Sequence, residues 1–202
     1  MLNVQDYFGN IDIYLLDQIL KNGFNNGMKI MDAGCGSGRN LIYFLRNGFE
    51  VFGVDKNSEA IKIVRSTAAQ LAPDLPIENF EISAVEEMAF ADVSFDAVLS
   101  SAVLHFADDE KEFGKMIDEM WRILRVGGIF FGRLASSIGI GEKVIPLGNR
   151  RFLLPDGSER FLVDEEFIAA KIGKFNASWL EPLKTTNVQN LRCMTTVVLR
   201  KN

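Results

Sequence analysis

From Met28 to Arg133 the chain alternates short apolar, β-rich runs with stretches whose apolar residues return at helical spacing. The runs are "MKIMDA", "EVFGVD", "IENFEIS", "FDAVLSS" and "GIFFGRLA". Helices are predicted from Arg39 to about Asn47 and from about Ser58 to Leu71. The strongest helical pattern lies between the last two runs. There Asp108 or Asp109 supplies a cap, Phe113, Met116, Ile117, Met120, Trp121 and Leu124 share one face, and Gly127 and Gly128 end it. Strands alternating with helices in this way specify parallel βαβ units. Met and aromatic residues at helical spacing read as sheet-facing core rather than as a cofactor box.

Two segments leave the alternation. Residues 1–27 carry Tyr7 and Phe8 ahead of a helical pattern at Tyr14, Leu15, Gln18 and Ile19, which predicts one or two helices able to cover the strand ends as a lid. Residues 136–163 contain "RRFLLPDGSERFLV", two β-rich runs around Pro155, Asp156 and Gly157. Proline sets the first turn dihedral and glycine takes the positive one, so a hairpin is expected there. A helix beginning near Asp164 follows, and "SWLEPLKTT" and "LRCMTTVVLRK" read as two closing strands joined by "NVQN". The whole of 1–202 is expected to form a single domain.

Composition narrows the function. The 202 residues are 48% hydrophobic, enough for one sizeable core. A net charge of -5, from 22 Lys+Arg against 27 Asp+Glu, argues against nucleic acid as the main partner. The two cysteines, Cys35 and Cys193, have neither zinc-site nor disulfide-framework spacing, so no metal is expected and a reducing, cytoplasmic setting fits. No apolar run approaches the roughly 18 residues of a membrane span, and no membrane partner is expected.

The chemistry concentrates in "MDAGCGSGRN", residues 31–40, which sits between a strand and a helix. Gly34, Gly36 and Gly38 remove the Cβ atoms that would hold a ligand off, and the helix start offers backbone N–H groups. Arg39 and Asn40 stand where a P-loop would need Lys-Ser/Thr, and G-x-G-x-G is not the dinucleotide spacing G-x-G-x-x-G, which argues against a nicotinamide cofactor. Asp32 beside the loop would repel a pyrophosphate and attract a cation. Asp55 ends the next strand, where a carboxylate accepts hydrogen bonds from a ribose diol. A ribose, an adenine-like ring and a positive centre together describe S-adenosyl-L-methionine.

"MDAGCGSGRN", "VFGVD", "FDAVLSSAVLHF" and "LRVGGIFF" resemble, in order, the motifs of the class I S-adenosylmethionine-dependent methyltransferases. The Gly-Arg-Asn and Asp-Lys-Asn elements also resemble the small bacterial tellurite-resistance-type methyltransferases. The resemblance implies a Rossmann-like, doubly wound, seven-stranded α/β sheet, mostly parallel with an antiparallel C-terminal strand. It implies that Asp32, Gly34, Gly36 and Gly38 surround the methionine part of the cofactor, with Cys35, Arg39 and Asn40 of the same loop also binding the cofactor. By the same resemblance Asp55 holds the ribose, Lys56 and Asn57 flank the adenine, and Ser100 joins them from the fourth strand. Where relatives carry an adenine-binding aspartate, "ISAVEEMAF" has Ala84, which leaves the Val85 N–H and Glu86 for that role. Cys35 reads as a small turn residue, not a nucleophile.

Methyl transfer from a sulfonium is an in-line displacement, so alignment is the main requirement and a base matters only for some acceptors. The single histidine, His105, follows the fourth strand near the expected methyl position; a base and a packed loop residue are both open readings. Acceptor contacts are expected from Tyr7, Tyr14, Phe106, Arg133 and Arg151, while Arg150 and Arg160 on the hairpin add positive charge suited to an acidic acceptor. The reading is a methyltransferase acting on a small molecule, compatible with a homodimer. The alternative is a non-catalytic domain that binds the cofactor or its product, S-adenosylhomocysteine.

Overall fold

The computed structural model describes residues 3–202; the first two residues of the expected N-terminal helical segment lie outside them. That segment forms two short helices, α1 (Val4–Phe8) and α2 (Ile13–Leu20). The side chains of Asn3 and Asp12 start them by accepting from the second N–H of each helix. The alternation follows as β1 (Lys29–Ala33), α3 (Ile42–Arg46), β2 (Glu50–Asp55), α4 (Ser58–Leu71), β3 (Phe80–Ile82), β4 (Phe95–Ser101), α5 (Glu110–Ile123) and β5 (Leu124–Ser136). After β5 the chain forms β6 (Ile145–Gly148), β7 (Arg151–Leu153), β8 (Glu159–Phe161), α6 (Glu165–Ile172), β9 (Ala177–Trp179), β10 (Lys184–Val188) and β11 (Arg192–Lys201).

The main sheet runs β3-β2-β1-β4-β5-β11-β10. β1 to β5 are parallel, and β11 returns antiparallel between β5 and β10. This is the Rossmann-like order expected. One apolar cluster packs α2, α3 and α4 on one face, through Leu15, Phe44 and Val64 among others. A second packs α5 and α6 on the other, through Phe113, Met120 and Phe167. The fully buried pattern of β4 follows from being covered on both sides. The helix stripe read from the sequence is core, with Met120 fully buried and Trp121 stacked on Phe175.

Several boundaries differ from the sequence reading. Helix α3 begins at Ile42 rather than Arg39, because the glycine loop runs on as turns: Gly38 N–H donates to the Cys35 carbonyl and Leu41 N–H to that of Gly38. Gly127 and Gly128 do not end α5. The helix stops at Ile123, Leu124 already pairs with Phe95 in the sheet, and the glycines occupy a register shift inside β5. "SWLEPLKTT" is two strands rather than one. Pro182 lies in the break, β9 pairs with Leu199–Lys201, and β10 pairs with Arg192–Thr196 of the same strand β11. The hairpin at Pro155–Gly157 forms as β7–β8, with β6 added as a third strand that the sequence does not announce. Among the described residues no helix is long and apolar enough to cross a membrane.

Candidate functional site

Parallel strands whose helices cover both faces leave a crevice at their carboxyl ends, and this is where the polar side chains gather. A cavity of about 500 Å³ opens over the ends of β1, β2 and β4. Its floor is the glycine loop, with Gly34, Cys35, Gly36, Ser37, Arg39 and Asn40. Asp55 and Lys56 from the end of β2, and Ser83 and Val85 after β3, form one wall. Ser101, Ala102, Val103 and Phe106 after β4, with Glu112 and Met116 of α5, form the other.

The three glycines do different work. Gly36 has φ +53°, and a Cβ built there meets nothing within 4 Å, so its open side faces the cavity. At Gly38 the same atom would lie 2.6 Å from Val64 Cγ2, and at Gly34 2.4 Å from Val103 Cγ2. Those two are glycine because side chains from α4 and from the segment after β4 pack onto the loop. Asp55 fixes the loop from the side: its Oδ2 accepts from Gly36 N–H at 2.8 Å and its Oδ1 from Asn57 N–H at 2.8 Å. Each oxygen keeps a lone pair for a further donor.

Asp32, near the end of β1, is 1% exposed and does not line the cavity, and among the described residues no hydrogen bond reaches its Oδ2. Burial pushes its carboxyl up to about 7; the Arg39 guanidinium opposes this and the Asp55 carboxylate adds to it. A buried carboxylate without a partner is costly unless a donor or cation completes it. The Cys35 thiol is held well above its usual range by burial and by the same two carboxylates, which removes it as a nucleophile at neutral pH.

Residues 31–132, half of the chain, match a family model described as a methyltransferase domain. The chain belongs to this family. A ubiquinone biosynthesis O-methyltransferase of Brucella anthropi is 26% identical over 165 residues, covering 80% of this chain and 64% of that protein. A Burkholderia thailandensis 1,6-didemethyltoxoflavin-N1-methyltransferase, solved with its didemethyltoxoflavin and S-adenosylhomocysteine, superposes with a TM-score of 0.73 at 18% identity, over 99% of this chain and 81% of that one. TehB from Haemophilus influenzae gives 0.71 at 20% identity, over 95% of this chain and 63% of that one. At these identities the structural matches establish the fold. The chain spans 44% to 64% of the length of the first curated relatives it matches.

The methyltransferase cofactor is S-adenosyl-L-methionine, and the residues fit it. Gly36 leaves room where a Cβ would intrude, Asp55 presents two oriented oxygens, and Asp32 is a buried acceptor awaiting a donor. Beside the wall after β3, Lys56 Nζ donates to Glu86 Oε1 at 2.9 Å, and Glu86 Oε2 is buried with no partner among the described residues.

The structure brings Gly34, Cys35, Gly36, Arg39, Asn40, Asp55, Lys56, Val85 and Phe106 to the cavity. It separates others from it. Ser100 points to the opposite face of β4, because strand side chains alternate, and its neighbour Ser101 reaches the cavity instead. Asn57 caps α4, accepting from Glu59 and Ala60 N–H. Tyr7 donates to Asn47 Oδ1 at 2.8 Å and packs edge-on against Tyr43, pinning α1 to α3. Tyr14 bonds Thr186 on β10 and faces the Arg133 guanidinium. Arg133 donates to the buried Asp12 at 2.9 Å, and Arg151 donates to the Ala107 carbonyl. Asp12 also takes the Ser101 hydroxyl at 3.1 Å, and its own N–H donates to Asn40, so this one residue ties the N-terminal segment to β4, β5 and the glycine loop.

His105 is behind the cavity wall rather than in it. It is 5% exposed, and its Nδ1 accepts from Ala135 N–H at 3.1 Å, which leaves the proton of the neutral ring on Nε2. Burial, and the Arg160 charge after it, lower its pKa to about 4. Such a ring presents a donor, not a base, so of the two open readings the geometry favours the packed loop residue. Sequence reasoning missed Ser37, Ser83, Ser101, Ala102, Val103, Glu112 and Met116. Of these, Ser101 is recoverable from strand parity; Ala102, with φ +64°, has no sequence signal.

Proposed function

We propose that the chain is an S-adenosylmethionine-dependent methyltransferase acting on a small-molecule acceptor. The observation that carries this reading is the cavity over the glycine loop, open at Gly36 and bordered by the braced Asp55, with a buried, unpartnered Asp32 Oδ2 at the end of β1 behind its lining. When bound, S-adenosylmethionine supplies a methyl group activated by its sulfonium charge. In the reading, Asp32 balances the cationic methionine end and Asp55 accepts from the ribose hydroxyls. The Val85 N–H and Glu86 Oε2 take the adenine edge in place of the side chain that Ala84 lacks. Arg39, Asn40 and Ser101, held by the Asp12 network, border the methyl-transfer end. The chain's task is then to exclude water and align an acceptor behind the methyl. With His105 committed to Ala135, the reading favours acceptors that ionise or attack without a strong protein base.

The small-molecule acceptor is supported by the acidic balance of the chain and by the didemethyltoxoflavin methyltransferase among its structural neighbours. The commitment of His105 also favours a second reading, binding of the cofactor without catalysis. Calorimetry with S-adenosylmethionine and S-adenosylhomocysteine tests both: absence of binding at millimolar ligand defeats them together. Transfer of labelled methyl into any member of a metabolite panel then selects the enzyme over the binder.

A further inference from the structure

The hairpin following β5 carries three arginines, and the fold uses them differently. Arg150 is neutralised by Glu110 at 3.2 Å and Asp164 at 2.9 Å. Arg151 donates to the Ala107 carbonyl at 3.1 Å and lies 3.6 Å from Asp108 and 3.8 Å from Glu159, which fastens β7 to the segment after β4. Arg160 donates only to the carbonyl of Glu159, and among the described residues no carboxylate oxygen lies within 4.0 Å of it. Asp156 senses its charge from farther away.

Arg160 is nonetheless firmly placed. The next residue, Phe161, is fully buried and stacks on Phe113 of α5 at 5.1 Å. Strand alternation then turns Arg160 the other way, where its guanidinium sits 4.9 Å over the Phe106 ring. Phe106 belongs to the cavity wall, and 57% of it is exposed, so part of its ring is open to a ligand. The depressed pKa of the adjoining His105 reports the same guanidinium.

We infer that Arg160 and Phe106 form the acceptor-recognition subsite, and that the acceptor is an anion, a carboxylate or phosphate ester carried on a flat apolar body. The apolar body lies against the exposed part of Phe106, and the acid takes the planar donor fork of Arg160, which matches carboxylate and phosphate oxygens two at a time. This rests on the methyltransferase reading, and the test separates the two. Wild type, Arg160→Gln and Arg160→Lys are first titrated with S-adenosylhomocysteine, then, as that complex, with 4-hydroxybenzoate, phenyl phosphate and 4-hydroxybenzamide.

The inference expects equal S-adenosylhomocysteine affinity in all three proteins. It expects the two acids to bind wild type at least about tenfold tighter than the amide, as a charge-assisted hydrogen bond implies. Arg160→Gln is expected to erase that margin without weakening the amide, and Arg160→Lys to restore part of it. Amide binding as tight as the acids, no acid binding at all, or unchanged acid binding in Arg160→Gln overturns the subsite. A loss of S-adenosylhomocysteine affinity in Arg160→Gln alone reassigns the residue to the cofactor and overturns it as well. Wild type that ignores S-adenosylhomocysteine defeats the methyltransferase reading, and this inference with it.

Discussion

Replacing Asp32 by Asn separates what the carboxylate costs the fold from what it does for the ligand. In the folded chain its pKa rises from the ordinary 3.8 to about 7, chiefly through burial. The native state therefore holds this proton more tightly than the unfolded chain. The contribution of this one carboxyl to stability is therefore full below pH 4, falls as pH rises through the window up to 7, and is gone above it. At about 1.4 kcal/mol per pH unit the total is about 4 kcal/mol, and about 2 kcal/mol of it is lost between pH 5.5 and 8.5. Asparagine has no such proton. Urea unfolding at those two pH values should show the wild type losing about 2 kcal/mol relative to Asp32→Asn. Calorimetry should show the reverse for binding. The wild type should hold S-adenosylmethionine about 30-fold tighter at pH 8.5 than at 5.5, because the proton must leave before the cation is met. The variant should bind weakly at both. Identical pH profiles for the two proteins, or undiminished binding by Asp32→Asn at pH 8.5, would refute the assignment.

Gly36→Val and Gly38→Ala should fail in opposite ways. The first adds atoms to open cavity space and should abolish S-adenosylhomocysteine binding in a protein that still unfolds cooperatively, at a backbone cost of about 1–2 kcal/mol. The second drives a methyl into Val64 at a positive φ and should chiefly lower the melting temperature. Glu86→Gln should weaken the adenosine-containing ligand about tenfold or less if Oε2 accepts from the adenine amino group; unchanged affinity argues that Lys56 alone holds that carboxylate. His105→Ala should leave no missing pKa in the pH–rate profile and should cost about 1–3 kcal/mol of stability by orphaning Ala135 N–H. A lost rate-limiting ionisation near neutral pH would restore His105 as a base.

The parallel core was legible because burial on both faces writes itself as apolar runs, α4 because of its helical spacing, and the start of α5 because Asp109 announces it; the cap at Asn57 was read instead as an adenine contact. The C-terminal antiparallel strand came only with the family resemblance. The glycine loop and Asp55 were readable for the same local reason: ligand approach and ribose chemistry demand particular residues at fixed offsets. What local sequence does not encode is commitment to a distant partner. His105, Arg133, Arg151 and Tyr14 all carry suitable chemistry, and each is engaged by a group between 30 and 172 positions away. Gly34 and Gly38 were assigned to the ligand; Gly34 does line the cavity, and packing against Val103 and Val64 is a further reason that both are glycine. The converse holds for Arg160, whose significance rests on the pairing of its two neighbours on the hairpin.

The strand ends of this molecule also bear on how copies of it can meet. β3 offers only three residues at one border of the main sheet. The opposite border is interrupted at Pro182, where β9 gives way to β10. The side sheet's outer strand, β6, is exposed throughout and carries Pro146, which has no N–H to donate, before a register slip at Gly148. Among the described residues no border presents a long, regular ladder of free donors and acceptors, so strand-by-strand growth from one copy to the next is discouraged. Short and broken borders of this kind favour each sheet ending within its own molecule.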